Sequence, residues 1–267
     1  MDTRIITLTN NGYRDITNNM LFSIKKLGLI DKMTVFCLDE SVKNFLSEKY
    51  PECKFDIISN TGSEDLIDFR RQGWNHIVFY KMKAIHKSLQ EYDRVLFTDG
   101  DIVFYSNPLE NLESLIGDKD ILFQTDLIVS NEQYKNYFDN ISKFKTAQEL
   151  ADYIANCGYL RSEANTGFIY MKNTEKNINF FDDSNIDIET FECDQIYVNK
   201  HLKDLNFSLL PIFNYPTGLF IKSLYLTIIK SLPPNLGDYH YVIHYNYTLA
   251  SYNKITTIKM MQSWYVD

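Results

Sequence analysis

The sequence predicts an α/β protein with a Rossmann-like, mostly parallel central sheet flanked by helices, and a second, smaller sub-region. Three observations carry that reading. Apolar runs of strand length alternate with helical spacing through the first sixty residues. A further apolar run, Arg94 to Thr98, is bounded by turn residues and reads as a buried strand. That strand ends on Asp99-Gly100-Asp101, and in an open α/β sheet the ligand site lies beyond the carboxyl ends of the strands.

In chain order, Arg4 to Leu8 is the first strand. Thr9 to Gly12 form a turn, and Tyr13 to Leu27 has helical spacing with Gly28 as its stop. Met33 to Leu38 is the second strand. Asp39 caps a helix from Glu40 to Tyr50 that ends at Pro51, and Phe55 to Ile58 is the third strand. Strand–helix–strand repeats of this kind build a parallel sheet through right-handed crossovers. Ser59 to Gln72 is polar and reads as a mobile loop. Trp74 to Leu89 is a long helix carrying Lys81, Lys83 and Lys87, and it leads into the strand Arg94 to Thr98. Ile102 to Tyr105 is a second apolar run, stopped at Asn107-Pro108. A short helix, Leu109 to Ile116, precedes a strand from Asp120 to Gln124 that ends in Thr125-Asp126.

Asn131 to Asn156 is polar and aromatic, and is expected to be helical. Asn165 to Met171 reads as a turn and then a strand, Phe191 to Leu202 as a helix bearing Asp194-Gln195, and Phe207 to Leu210 as a short strand. Leu219 to Leu232 is an apolar helix with two lysines. It suits a core or interface, or, on a sharper reading, an acceptor or peripheral membrane contact. Pro233-Pro234 ends it. Tyr239 to Tyr245 is a strand carrying His240 and His244, and Lys254 to Tyr265 is a closing helix.

The 267 residues suffice for one large α/β domain, and 45% hydrophobic with 23% charged residues is an ordinary globular composition. The balance of 27 basic against 35 acidic residues gives a net charge of −8, which disfavours the phosphate backbone of a nucleic acid as partner. Cys37, Cys53, Cys157 and Cys193 form no C-x-x-C pair and read as buried free thiols in a reducing compartment. The start of the chain has no apolar core of signal-peptide length, and no run approaches the ~20 apolar residues of a spanning helix. A cytoplasmic location with no transmembrane segment is therefore expected.

Side chains at i and i+2 of an extended segment share one side, so Asp99 and Asp101 would repel unless a cation holds them. Oxygen donors suit a hard ion such as Mg²⁺ or Mn²⁺. Asp126 and His244 also fall at apparent strand ends, and a histidine there is a candidate third ligand.

FTDGDIVFYSNPLENL, preceded by HIVFYKMKAIHKSLQEYDRV, resembles the D-x-D block of nucleotide-sugar glycosyltransferases with the GT-A fold, most closely retaining families 8 and 77. Asn165-Thr166-Gly167-Phe168 is similar to their Asn-x-Gly strand opening, Asp194-Gln195 to their Asp-Gln helix start, and His244 with the lysines and Trp264 beyond it to their C-terminal metal region. The resemblance spans Arg4 to Trp264. It departs after His244, where the expected glycine and Lys-Pro-Trp are missing, so Lys254 and Lys259 both stand as candidates for the diphosphate lysine.

The resemblance implies a single GT-A domain, with residues 1–125 as the nucleotide-sugar half and 126–267 as the acceptor and catalytic half. It implies a UDP- or GDP-sugar donor, an Mn²⁺ or Mg²⁺ cofactor, and a glycan, lipid-linked or protein acceptor. Asp101 and His244 would bind metal, and Asp99 would share it or hold the ribose. Thr9, Asn11 and Tyr13 would receive the base. Lys81, Thr98 and Gly100 would complete the donor site. Asp126, Asn165 and Asp194 would orient the sugar, with Gln195 near the anomeric carbon. Two rival readings stand beside it. One is a phosphatase of the haloacid-dehalogenase type with Asp99 as nucleophile. The other is an inactive nucleotide-binding scaffold.

Overall fold

The computed structural model describes residues 2–58, 74–128, 149, 161–188, 190–221, 225, 232–246 and 251–266. The chain opens with β1 (Thr3–Thr9), α1 (Arg14–Lys26), β2 (Met33–Cys37), α2 (Glu40–Lys49) and β3 (Lys54–Ile57). β1 runs parallel to β2, and β2 to β3, so the two helices are crossovers as expected. Local chemistry sets their ends. Gly28, at φ +69°, closes α1 in the left-handed region that a Cβ would strain. Asp39 Oδ1 accepts from the Val42 backbone N–H at 2.8 Å and caps α2.

α3 (Trp74–Glu91) carries the chain to β4 (Arg94–Thr98), which pairs parallel with β1 on the side away from β2. Strand order therefore reverses between β1 and β4. This switch point receives the segments that follow both strands, Thr9–Tyr13 and Asp99–Asp101. Next come β5 (Ile102–Phe104), α4 (Leu109–Ile116), β6 (Ile121–Ile128), β7 (Arg161–Lys172), α5 (Glu175–Phe181), α6 (Asp194–His201), β8 (Phe207–Leu209), α7 (Gly218–Ile221), β9 (Val242–His244) and α8 (Ser251–Met260). The main sheet has seven strands in the order β3-β2-β1-β4-β7-β6-β8, with β7 antiparallel to both neighbours. β5 leaves it and pairs antiparallel with β9 in a small second sheet.

Both faces of the main sheet are covered. Ile5 of β1 joins Met20, Leu21 and Ile24 of α1, while its neighbour Ile6 joins Met82, Ile85 and Leu89 of α3. Strands buried on both faces need apolar residues at successive positions, which accounts for the unbroken Val95-Leu96-Phe97. A third cluster, including Val103, Phe220, Tyr225, Ile243 and Ile258, surrounds the small sheet. Cys37, Cys53 and Cys193 are buried free thiols. Among the described residues no helix is long and apolar enough to cross a membrane.

Three sequence expectations shift. β6 runs on to Ile128, so Thr125-Asp126 lie within the strand rather than after it. Asn165 lies inside β7 rather than in a turn before it. Phe123 stands opposite Ile169, but Gln124 stands opposite Asn165, so Thr166, Gly167 and Phe168 bulge out of register with β6. The strand expected at 239–245 shortens to Val242–His244, because Leu236–Asp238 form a 3₁₀ turn and Tyr239 is exposed. The loop Ser59–Gln72, the helix expected at Asn131–Asn156, Cys157 and most of the 219–232 helix lie outside the described residues.

Candidate active site

A turn, rather than an extended segment, brings the two aspartates together: Ile102 N donates to Asp99 O at 3.3 Å. β9 lies beside β5 with His244 opposite Ile102, and Tyr245 N donates to Asp101 O at 3.0 Å. His244 Nε2 thus stands 3.2 Å from Asp101 Oδ1 and 3.9 Å from Asp99 Oδ2. One ligand atom from each of these three residues falls within 4.8 Å of the others. Two carboxylate oxygens and an imidazole nitrogen suit a divalent ion such as Mn²⁺ or Mg²⁺.

Two glycines make this convergence possible. The Gly167 carbonyl accepts from Asp99 N at 2.7 Å. A Cβ on Gly167 would lie 2.2 Å from His244 Cε1 and 2.7 Å from Asp99 Oδ2. A Cβ on Gly100 would lie 2.7 Å from Thr17 Oγ1. Close approach, not backbone freedom, demands glycine at both positions.

Lysines take the remaining oxygens. Lys254 Nζ, from α8, pairs with Asp101 Oδ2 and lies 5.4 Å from the centre of the Tyr13 ring. Lys81 Nζ lies 3.2 Å from Asp99 Oδ1 and 2.6 Å from Asp194 Oδ2. Lys81 shares the apolar stripe of α3 with Met82, Ile85 and Leu89 and is only 5% exposed, a place where an ammonium needs acid partners. Burial alone would lower its pKa, but Asp194 and Asp99 more than offset that and raise it. Burial likewise pushes the Asp101 carboxyl up, yet the Lys254 ammonium beside it holds it well below the usual carboxylate range. Asp99 is shifted up, because burial outweighs the pull of Lys81. When ionised, Asp99, Asp101 and Asp194 outnumber Lys81 and Lys254 by one charge, so the set has charge to spare for a cation.

The bulge of β7 places Asn165 beside β6. Its Nδ2 donates to Asp126 Oδ2 at 2.9 Å and to Gln195 Oε1 at 3.2 Å. Its Oδ1 accepts from Gly167 N at 2.8 Å. Gln195 Nε2 donates to Asp126 Oδ2 at 3.3 Å and to Glu163 Oε2 at 3.5 Å. Asp194, in the first turn of α6, accepts from Thr166 Oγ1 at 2.7 Å. Asp126, Asn165 and Gln195 therefore form one network, and Asp194 joins Asp99 through Lys81. Glu163 was not singled out from sequence; burial raises its pKa, with the Gln195 hydrogen bond opposing and Asp126 adding to the shift. Gln124, also missed, donates to two backbone carbonyls and faces His244. Its one local signal is a lone amide at the end of the apolar run Ile121-Leu122-Phe123.

Other expected donor residues are placed less directly. The Thr9 hydroxyl shares a hydrogen bond with Thr17 at 2.8 Å and is buried. Asn11 N donates to Asp39 Oδ2 at 2.8 Å, and Asn11 Oδ1 accepts from Arg14 and Ser41. Tyr13 stands between Gly100 and Lys254. The Thr98 hydroxyl points at Met20 Sδ, 3.9 Å away, and at the Asp99 carbonyl. Lys259 stands apart from the acids. It is exposed, with Nζ 5.7 Å from the Trp264 ring centre. Five residues beyond Lys254 is roughly 140° round a helix.

This strand order, with an acidic turn after β4 and a histidine delivered by a small second sheet, defines a GT-A-like fold. Residues 28–258 match the nucleotide-diphospho-sugar transferase family, and the chain belongs to that family. Arabinosyltransferase RRA2 of Arabidopsis thaliana is 26% identical over 183 residues, covering 67% of this chain and 39% of that protein, so this chain spans well under half of that relative. Mouse xyloside xylosyltransferase 1, in its apo form, superposes with a TM-score of 0.53 at 12% identity, over 94% of this chain and 99% of that one. The galactosyltransferase LgtC, in complex with donor and acceptor sugar analogs, gives 0.52 at 10% identity, over 99% and 97%. At such identities the likeness is one of fold. The phosphatase reading finds no support, since Asp99-Gly100-Asp101 follows the fourth strand and the fold is that of sugar transferases.

Proposed function

We propose that this protein transfers a sugar from a UDP-sugar, or less favourably a GDP-sugar, to a hydroxyl of a glycan, lipid-linked or protein acceptor, with retention of anomeric configuration, in the manner of families 8 and 77. The observation that carries the reading is the convergence of Asp99, Asp101 and His244, flanked by Lys254, beyond the carboxyl ends of β1 and β4 in a chain of the nucleotide-diphospho-sugar transferase family. Residues 1–125 serve the donor, joined there by His244 and Lys254, and the rest of 126–267 serves the acceptor and chemistry.

Asp99, Asp101 and His244 would hold the divalent ion, whose part is to neutralise charge on the diphosphate. Lys254 supplies a second cation at the leaving phosphate, the favoured choice over Lys259 because it reaches the acids. Tyr13, Asn11 and Thr9 form the base end, with Tyr13 offering an aromatic surface. Asp126, Asn165 and Asp194 orient sugar hydroxyls. The anomeric C–O bond breaks with its electron pair moving to the β-phosphate oxygen. The acceptor oxygen bonds to the anomeric carbon on the same face, and its proton passes to that phosphate oxygen. Two features support this route over a covalent sugar intermediate. The Gln195 amide is a poor nucleophile. Asp194 Oδ2 is engaged by Lys81 and Thr166, which draws charge from that carboxylate and weakens it as a nucleophile.

The test is thermal melting against a nucleotide panel, with and without MnCl₂. A ligand at 100 times its dissociation constant adds about 2.7 kcal/mol. UDP is expected to raise the melting temperature only with Mn²⁺, and Asp101→Ala to abolish the rise. No shift with any nucleotide and metal would sink the reading.

A further inference from the structure

Gln124 is fully buried on β6. A buried amide must satisfy two N–H donors and one acceptor oxygen. Its Nε2 donates to Tyr215 O at 3.0 Å and Pro216 O at 3.1 Å. Carbonyls only accept, so flipping the amide would set its own oxygen against two others. Its Oε1 therefore faces His244 Nδ1, at 2.9 Å. An amide oxygen also only accepts, so the proton of the ring must sit on Nδ1. In the neutral imidazole the lone pair is then on Nε2, the nitrogen aimed at Asp101 Oδ1 and Asp99 Oδ2. Pro216 O also accepts from the backbone N–H of His244 at 3.0 Å, so one carbonyl anchors both the histidine's main chain and the amide that holds its ring.

We propose that Gln124 is a positioning residue: it selects the Nδ1–H tautomer of His244 and fixes the ring, leaving Nε2 free to bind a divalent ion. The inference rests on the reading of Asp99, Asp101 and His244 as a metal site. Partners that hold a ligating histidine through its other nitrogen are worth roughly 10–100-fold in metal affinity.

The experiment uses the full chain with ¹⁵N-labelled histidine. Wild type is compared with Gln124→Met and Gln124→Leu, which remove the acceptor, and with Gln124→Glu, which keeps it when its second oxygen carries a proton towards the Tyr215 and Pro216 carbonyls. Cooperative melting selects the folded variants, and either apolar variant decides. Two-bond ¹H–¹⁵N spectra of metal-free protein at mildly alkaline pH are expected to show the His244 proton on Nδ1 in wild type and Gln124→Glu, and redistributed in the apolar variants. Calorimetric Mn²⁺ titration is expected to show binding ~10–100-fold weaker in the apolar variants, with recovery in Gln124→Glu. A wild-type proton on Nε2, or unchanged Mn²⁺ affinity in the apolar variants, overturns the proposal and leaves the donor-site reading intact. Absence of Mn²⁺ binding by wild type overturns both.

Discussion

Asp101 divides its carboxylate between Lys254 and His244: Oδ2 pairs with the lysine ammonium, and Oδ1 lies 3.2 Å from His244 Nε2. One buried acid thus joins α8 to the small sheet and belongs to the Asp99, Asp101 and His244 cluster proposed to hold a metal ion. Asp101→Ala strips Lys254 of its carboxylate partner, and breaking a buried pair this way costs roughly 3–5 kcal/mol. Urea unfolding at neutral pH checks this. Lys259→Ala, on the exposed side of the same helix, is expected to stay within about 0.5 kcal/mol of wild type in the same assay.

Gly167→Ala forces a methyl into space held by His244 Cε1 and Asp99 Oδ2. Overpacking of this kind costs about 1–3 kcal/mol. The larger effect is expected on Mn²⁺ affinity, at least tenfold, because both displaced groups belong to the triad. Isothermal titration together with a melting curve separates the two effects, and an Ala variant with wild-type affinity would show that the site has more slack than these distances imply.

Lys81 and Asp194 are each almost wholly buried and lie 2.6 Å apart. Lys81→Met is expected to destabilise by roughly 3–5 kcal/mol, since it leaves the buried Asp194 carboxylate without its cation. Adding Asp194→Asn to it should restore part of that loss. A double-mutant cycle on unfolding free energies is expected to give a coupling of at least about 1 kcal/mol. Additive losses would mean that the two groups do not depend on each other.

His240 supplies a pH dependence. Its ring lies between Tyr225 OH and the Phe213 carbonyl, each at 2.6 Å, and burial lowers its pKa from 6.5 to about 4. Between those values the unfolded chain binds a proton that the folded chain refuses, so stability rises with pH across the window and falls as pH drops from 6.5 towards 4. At 1.36 kcal/mol per pKa unit the loss between pH 7 and 5 is about 2 kcal/mol. His240→Gln should flatten that slope in urea titrations at the two pH values. A slope that persists in the variant would place the titrating group elsewhere.

Where structure is decided locally, the sequence was readable. The crossovers of the first three strands follow from apolar runs, from the cap on Asp39 and from the stop at Gly28. The convergence of Asp99, Asp101 and His244 was legible because two acids after a strand ask for a cation, and late histidines are few. Asp126 and Asn165 stand as candidate site residues, but both lie inside strands where a turn or strand end is expected from sequence. Polar residues beside a glycine look like a turn until an antiparallel partner is known, and that pairing lies beyond the reach of local propensity. The choice between Lys254 and Lys259 depends on the phase of a helix, which spacing from His244 does not give. Gln124 was invisible for a related reason. Its partners Tyr215, Pro216 and His244 lie 91 to 120 residues further along the chain.

Thr166, Gly167 and Phe168 act as a spacer of fixed count between two pairings of β7 with β6, Asn165 with Gln124 and Ile169 with Phe123. Side chains alternate along a strand, so one residue more or fewer in that interval would exchange inward for outward on everything upstream. Asn165 would turn from Asp126, and the glycine would no longer face the histidine. A changed letter at Thr166 costs one hydroxyl to Asp194, whereas a changed length misaligns the whole network of Asn165, Asp126 and Gln195. Variation here is therefore expected to be permissive in spelling and strict in number, the reverse of the tolerance usual in a surface loop.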